Sequence, residues 1–131
     1  EFHGNSRRLI CTECGEKYPV NSEILKELPP KCKNCGQVLK PDFVFFGEGI
    51  PQKAKELSFK EAEIADLFII IGTTGEIQPA SLIPMVAKDN GIKIIEINIK
   101  KSNFTDKISD LFIQQKASRA MEKIEAELDE L

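Results

Sequence analysis

Four cysteines offer the clearest chemistry in this chain. Cys11 and Cys14 form one Cys-x2-Cys knuckle and Cys32 and Cys35 another, with 17 residues between them. Paired knuckles about 15–20 residues apart fit a tetrahedral site in which four thiolates hold one Zn²⁺. No cysteine lies outside this set, so none is left for redox or nucleophilic work. A closed four-thiolate site keeps no open position for water or substrate, so the expected zinc is structural. Two disulfides are the competing reading and would suit a small secreted domain. With neither a signal-peptide pattern nor a transmembrane run in the sequence, we expect reduced thiols in an intracellular, cytoplasmic setting. The one histidine, His3, stands outside the cysteine set, and spacing alone gives it no task.

Something must hold these groups in place, and the remaining sequence reads as the scaffold. The chain has 131 residues and a net charge of -3. That is enough for one modest core, and the acidic balance argues against a nucleic-acid surface, which needs a basic excess. Its only methionines are Met85 and Met121, and a start on Glu1 is expected of a piece of something longer. Residues 9–40 read as a zinc ribbon, with Gly15 and Gly36 turning each knuckle so that backbone N–H groups face the sulfurs. Val20 to Leu28 reads as a short helix or an irregular loop.

The pattern changes after Lys40. Phe43 to Phe46 reads as a strand, and residues 51–65 as a helix with Ala54, Leu57, Ile64 and Ala65 on one face. Leu67 to Ile71 is apolar on both faces, as a strand in the middle of a parallel sheet is. A helix from Pro79 to Asn90, stopped by Gly91, leads to a strand over residues 92–98. A short strand near Leu111–Ile113 precedes a closing helix with Ala117, Met121, Ile124, Leu128 and Leu131 on one stripe. The fold class is therefore α/β: a partial doubly wound, Rossmann-like parallel sheet with an inserted zinc ribbon. Ligands of such folds sit beyond the carboxyl ends of the strands, here at Gly47-Glu48, Gly72 to Gly75 and Asn98. No G-x-G-x-x-G fingerprint is present.

Several ordered motifs resemble those of sirtuins, the NAD-dependent protein lysine deacylases. They are Glu1-Phe2-His3-Gly4-Asn5, the two knuckles, Lys40 to Glu48, Gly72 to Ala80 and Glu96-Ile97-Asn98. The resemblance runs from Glu1 to about Ala117 and covers the carboxyl-terminal part of that family's catalytic core. It implies three segments: a catalytic-histidine segment at 1–8, the zinc ribbon at 9–40, and part of the NAD-binding domain at 41–131. It makes His3 the general base that activates a hydroxyl of the nicotinamide ribose, work that suits a histidine near neutral pH. The acyl oxygen of acyl-lysine attacks C1′, nicotinamide leaves, and the products are free lysine and O-acyl-ADP-ribose. It makes Val44, Phe45, Phe46 and Gly47 the segment that pairs with an acyl-lysine peptide, added as a strand. The bland reading of Phe45 and Phe46 is buried strand.

By the same resemblance, Gly72, Thr73, Thr74, Asn98 and Ala117 contact the adenosine side of NAD. Thr74 stands where serine is usual, and Gln115 stands where the family usually has glycine. The implied partners are NAD, one structural Zn²⁺ and an acyl-lysine protein, with neither nucleic acid nor membrane. Two other classes remain open at this point. One is a non-catalytic scaffold, pairing with a missing amino-terminal half or a second chain; the other is a protein ADP-ribosyltransferase. The segment alone is expected to be inactive, because half a cleft cannot position both substrates.

Overall fold

The computed structural model describes residues 1–130, so the expectation for Leu131 lies outside the described residues. The chain divides into two compact units, Glu1–Lys55 and Glu56–Leu131.

The first unit is a small antiparallel sheet built around the cysteines. Strand β1 (Gly4–Cys11) lies between β2 (Lys17–Pro19) and β3 (Leu39–Phe43). Leu9, Cys11, Cys32 and Leu39 form its buried core, with Tyr18, Val20 and Ile24 packed around them. Residues 22–29 are turns and bends without a helix, so the irregular-loop alternative holds. Asp42 stitches the sheet across its strands, with Arg8 Nε and Lys17 Nζ each 3.0 Å from one carboxylate oxygen.

Here the structure corrects the strand reading. The strand ends at Phe43, and Val44 to Phe46 lie beyond it. It also pairs antiparallel with β1 and is no part of the parallel sheet. The apolar run misled because its aromatic side chains are not core: Phe45 is 44% exposed and Phe46 96%. The first compact unit runs to Lys55.

The second unit holds the parallel sheet, in the order β4 (Leu67–Ile71), β5 (Lys93–Asn98), β6 (Leu111–Gln114). The chain reaches it through α1 (Gln52–Ile64). Between β4 and β5 runs a turn of 3-10 helix and then α2 (Ile83–Asp89), which Asn90 caps and Gly91, at φ +77°, terminates. Helix α3 (Ala117–Asp129) follows β6. Ala62 of α1, Ala87 of α2 and Ile92 form one buried cluster, while Ile70, Ile94 and Phe104 form another, and Phe68 touches both.

Neither helical stripe is buried throughout, although Ala65 packs against the Ala62 cluster and Ile124 is half-buried. On α1 the buried residue is Ala62, while Leu57 and Ile64 are exposed; on α3 it is Ala120, with Met121 and Leu128 exposed. The buried positions are the small alanines, and hydrophobicity alone picked the larger neighbours. Among the described residues β4 pairs with β5 alone and so lies at the edge of this sheet. Its Phe68 and Ile70 face the core, and Leu67, Ile69 and Ile71 on the other face are each more than 40% exposed. Among the described residues no helix is long and apolar enough to cross a membrane.

Candidate functional site

The four thiols converge as their spacing requires. Cys11 Sγ lies 3.4 Å from Cys35 Sγ, and Cys14 Sγ lies 3.6 Å from Cys32 and 3.7 Å from Cys35. All four sulfurs fall within 4.8 Å of one another. A tetrahedron with metal–sulfur bonds of about 2.3 Å has sulfur–sulfur edges of about 3.8 Å, so the cluster fits one Zn²⁺. The two knuckles repeat one another: Gly15 N–H donates to Cys11 C=O and Gly36 N–H to Cys32 C=O, each glycine at φ +75°.

The electrostatics of the cluster point the same way. The Tyr18 hydroxyl, helped by the Cys35 and Asn34 N–H groups, brings the Cys32 thiol down to about 6. The N–H groups of Cys14 and Glu13 lower Cys11. Cys35 behaves oppositely: the Gln37 N–H lowers it, but the neighbouring thiols and burial outweigh that and push it up to about 12. Four thiols this close resist ionising together, and a divalent cation at their centre removes the resistance.

Tyr18 is a residue the sequence reading missed. Its hydroxyl lies 3.3 Å from Cys32 Sγ and accepts the Lys33 N–H at 3.1 Å. Its one signal was that it is the only tyrosine in the chain, placed between the knuckles.

His3 and the 44–47 segment lie together in the first unit. The Val44 N–H donates to the His3 carbonyl at 2.9 Å, one residue before β1 begins. The imidazole is exposed and meets Phe2 edge-on, with ring centroids 5.1 Å apart. Gly4 is irreplaceable by geometry: it sits at φ +71°, and a Cβ there would collide with the Asp42 carbonyl. The turn that presents the histidine is thus fixed to β3.

Beyond β3 the chain is held by an ion pair that the sequence reading also passed over. Lys40 Nζ donates to the Phe43 carbonyl at 2.8 Å and to the Glu48 carboxylate at 2.6 Å. The same Glu48 oxygen accepts the Phe45 N–H at 3.0 Å, and the Lys40 ammonium sits 4.8 Å from the Phe45 ring centroid. Lys40, with the Phe45 N–H, holds the Glu48 carboxyl below its usual range. Val44 to Gly47 therefore leaves the sheet as a clamped loop with its aromatic rings outward.

In the second unit, three of the remaining candidate groups meet at the carboxyl ends of the strands. Gly72 follows β4 and donates its N–H to the Ile97 carbonyl at 3.0 Å. Asn98 ends β5, and its side-chain amide donates to the Thr73 carbonyl at 2.8 Å. The Gln115 N–H, just past β6, donates to the Asn98 carbonyl at 3.1 Å, which brings the 115–117 segment alongside. Thr73 and Thr74 are exposed, as is Ala117 at the first position of α3.

The Sir2 family model matches residues 1–79, a stretch containing His3, both knuckles, the clamped loop and the Gly72–Gly75 turn. The chain belongs to the Sir2 family. An NAD-dependent protein deacylase of Aquifex aeolicus is 40% identical over 124 residues, which are 95% of this chain and 52% of that protein. Among solved structures, an ADP-ribose complex of a Sir2 homologue has a TM-score of 0.92 at 34% identity, covering 99% of this chain and 52% of that one. A Sir2 complex with a p53 peptide and NAD+ has a TM-score of 0.82 at 30% identity, covering 96% of this chain and 55% of that one. The chain thus spans about half the length of the Sir2 proteins it matches.

Proposed function

We propose that the protein to which these residues belong is an NAD-dependent protein lysine deacylase. The observation that carries this reading is a Sir2 match containing His3, together with the hydrogen bond that ties His3 to the segment meant for substrate. An acyl-lysine peptide adds as a strand along Val44 to Gly47, whose backbone lies outside any sheet. The Phe46 ring, 96% exposed, is available to cover it. His3 takes the proton from a ribose hydroxyl, which frees that oxygen to accept the acyl group once nicotinamide has left. Gly72, Thr73, Thr74, Asn98 and Ala117 hold the adenosine side of NAD. The zinc bound by Cys11, Cys14, Cys32 and Cys35 takes no part in the chemistry and keeps the ribbon folded.

The remainder of the parent protein supplies the rest of the cleft. The unpaired edge of β4 and the exposed face carrying Leu67, Ile69 and Ile71 support cover by a further part of the protein, because bare strand edges and exposed apolar patches are otherwise hazards. Four thiolates also suit a reducing compartment such as the cytoplasm.

The test is to incubate the full-length protein with NAD and an acetyl-lysine peptide and follow all products by mass spectrometry. Nicotinamide, free-lysine peptide and O-acetyl-ADP-ribose in equal amounts support deacylation. ADP-ribose attached to protein, with the peptide still acylated, would replace this reading by ADP-ribosyl transfer. Failure to form either product sinks both.

A further inference from the structure

We propose that Glu96 is a positioning residue for nucleotide binding, acting through the segment that links β5 to β6. The proposal rests on the reading of Gly72 to Thr74 as the adenosine-side loop. Glu96 lies in the central strand of the parallel sheet, opposite Ile70 on one side and Phe112 on the other. Its side chain is 0% exposed. A carboxylate is costly at such a position, where its neighbours Ile94 and Ile97 show that isoleucine is accommodated.

Three hydroxyls offset that cost. Ser102 Oγ donates to one carboxylate oxygen at 2.6 Å, while Thr105 Oγ1 and Ser109 Oγ donate to the other at 2.8 and 2.7 Å. All three come from residues 99–110, which contain no helix or strand. Two of these hydroxyls also take up the segment's own backbone: Ser102 Oγ accepts the Phe104 N–H, and Thr105 Oγ1 accepts the Ser102 N–H, each at 3.0 Å. The carboxylate is thus the common anchor of an otherwise irregular connection. An apolar residue at position 96 would fill space without fixing those hydroxyls.

That connection bears directly on the Gly72–Gly75 turn. The Asn103 N–H donates to the Thr74 carbonyl at 2.9 Å. The Phe104 ring lies so close beneath Gly75 that a Cβ there would come within 2.6 Å of it. Asn98, two residues after Glu96, takes the Thr73 carbonyl. Both threonine carbonyls are therefore caught, one by the strand that carries Glu96 and one by the segment that Glu96 anchors. Glu96 reaches the nucleotide only through these partners and touches none of the reacting atoms.

The experiment measures ADP-ribose affinity by calorimetry, and steady-state kinetics, for the full-length protein and its Glu96→Ala and Ser109→Ala variants. We expect Glu96→Ala to weaken ADP-ribose binding at least tenfold and to raise the KM for NAD in parallel. The kcat at saturating NAD and the KM for acyl peptide should stay within twofold. Ser109→Ala, which leaves the carboxylate two donors, should weaken ADP-ribose binding about threefold. A merely structural role would lower Tm without this split between the two substrates. Folded Glu96→Ala with unchanged ADP-ribose affinity overturns the proposal. Should that variant not fold, unchanged affinity in Ser109→Ala overturns it instead. An unsubstituted protein that fails to bind ADP-ribose defeats the reading of the loop itself, and this proposal with it.

Discussion

Unit 1 buries Leu9, Leu39, Cys11 and Cys32, whereas unit 2 buries Ile70, Ile92, Ile94, Ile97, Phe104 and three alanines. Half of the first core is metal ligand, and nearly all of the second is hydrocarbon. In the ribbon, folding energy comes from binding an ion, so the region is only as stable as its grip on that ion. In the sheet it comes from removing apolar surface from water, which no solute competes for directly. The two units also solve one common problem in different ways. Each gathers irregular chain around a polar cluster: four thiols converge between the turns of the first unit, and three hydroxyls converge on the buried Glu96 carboxylate in the second.

The comparison breaks most visibly on removing zinc. Apparent zinc binding energies of about 10–16 kcal/mol are typical of structural sites, so stripping the metal should unfold residues 1–50 and leave the sheet intact. Amide NMR with a chelator reads both at once: cross-peaks of Leu9 and Leu39 should collapse while those of Ile70 and Ile94 persist. Simultaneous loss of both sets would make the units one cooperative body. Ile94→Ala is the mirror experiment. It should cost about 3 kcal/mol in urea unfolding of the sheet and leave zinc affinity unchanged; weakened zinc binding would deny the separation.

Gly4→Ala should act on the ribbon side alone. Strain at positive φ and the collision with Asp42 together cost about 2–3 kcal/mol, read as a lower midpoint for the histidine-bearing unit. An unaltered midpoint would mean that the turn at His3 relaxes freely.

The smallest effect should be a pH effect in the sheet. The Ile94 N–H and then Lys88 hold the Asp110 carboxyl well below the usual carboxylate range. A carboxyl with a depressed folded pKa stabilises fully above its unfolded pKa of about 3.9 and loses that contribution as pH falls below it. The Tm advantage of the native protein over Asp110→Asn should therefore be steady near neutrality and shrink below about pH 4. A difference that stays constant down to pH 3 would refute the linkage.

Much of this was legible in the sequence, and the misses share a cause. Cysteine spacing specified the metal cluster because four thiolates at fixed intervals have few other uses. Gly91 and the isoleucine-rich runs marked β4, α2 and β5 because backbone conformation and burial are local demands. Partner choice is not local. Nothing within Phe43 to Phe46 says that β3 pairs with β1 instead of joining the parallel sheet, or that Phe46 faces solvent. Ala62 and Ala120 went unnoticed because alanine carries little hydrophobic signal, although both are buried. Tyr18 meets Cys32 across the ribbon, and Lys40 and Glu96 meet partners on the irregular stretches that follow them. Such turns have no periodic pattern, so these roles emerge only once the chain is folded.

The measurement that tests the account most directly is His3→Ala in the full-length protein, assayed for NAD-dependent release of free-lysine peptide alongside ADP-ribose affinity. The account predicts turnover at least a hundredfold lower, with ADP-ribose affinity within twofold. Turnover equal to the unsubstituted protein, or an equal loss of ADP-ribose affinity, would contradict it, because His3 would then be a dispensable or a structural residue and not the base.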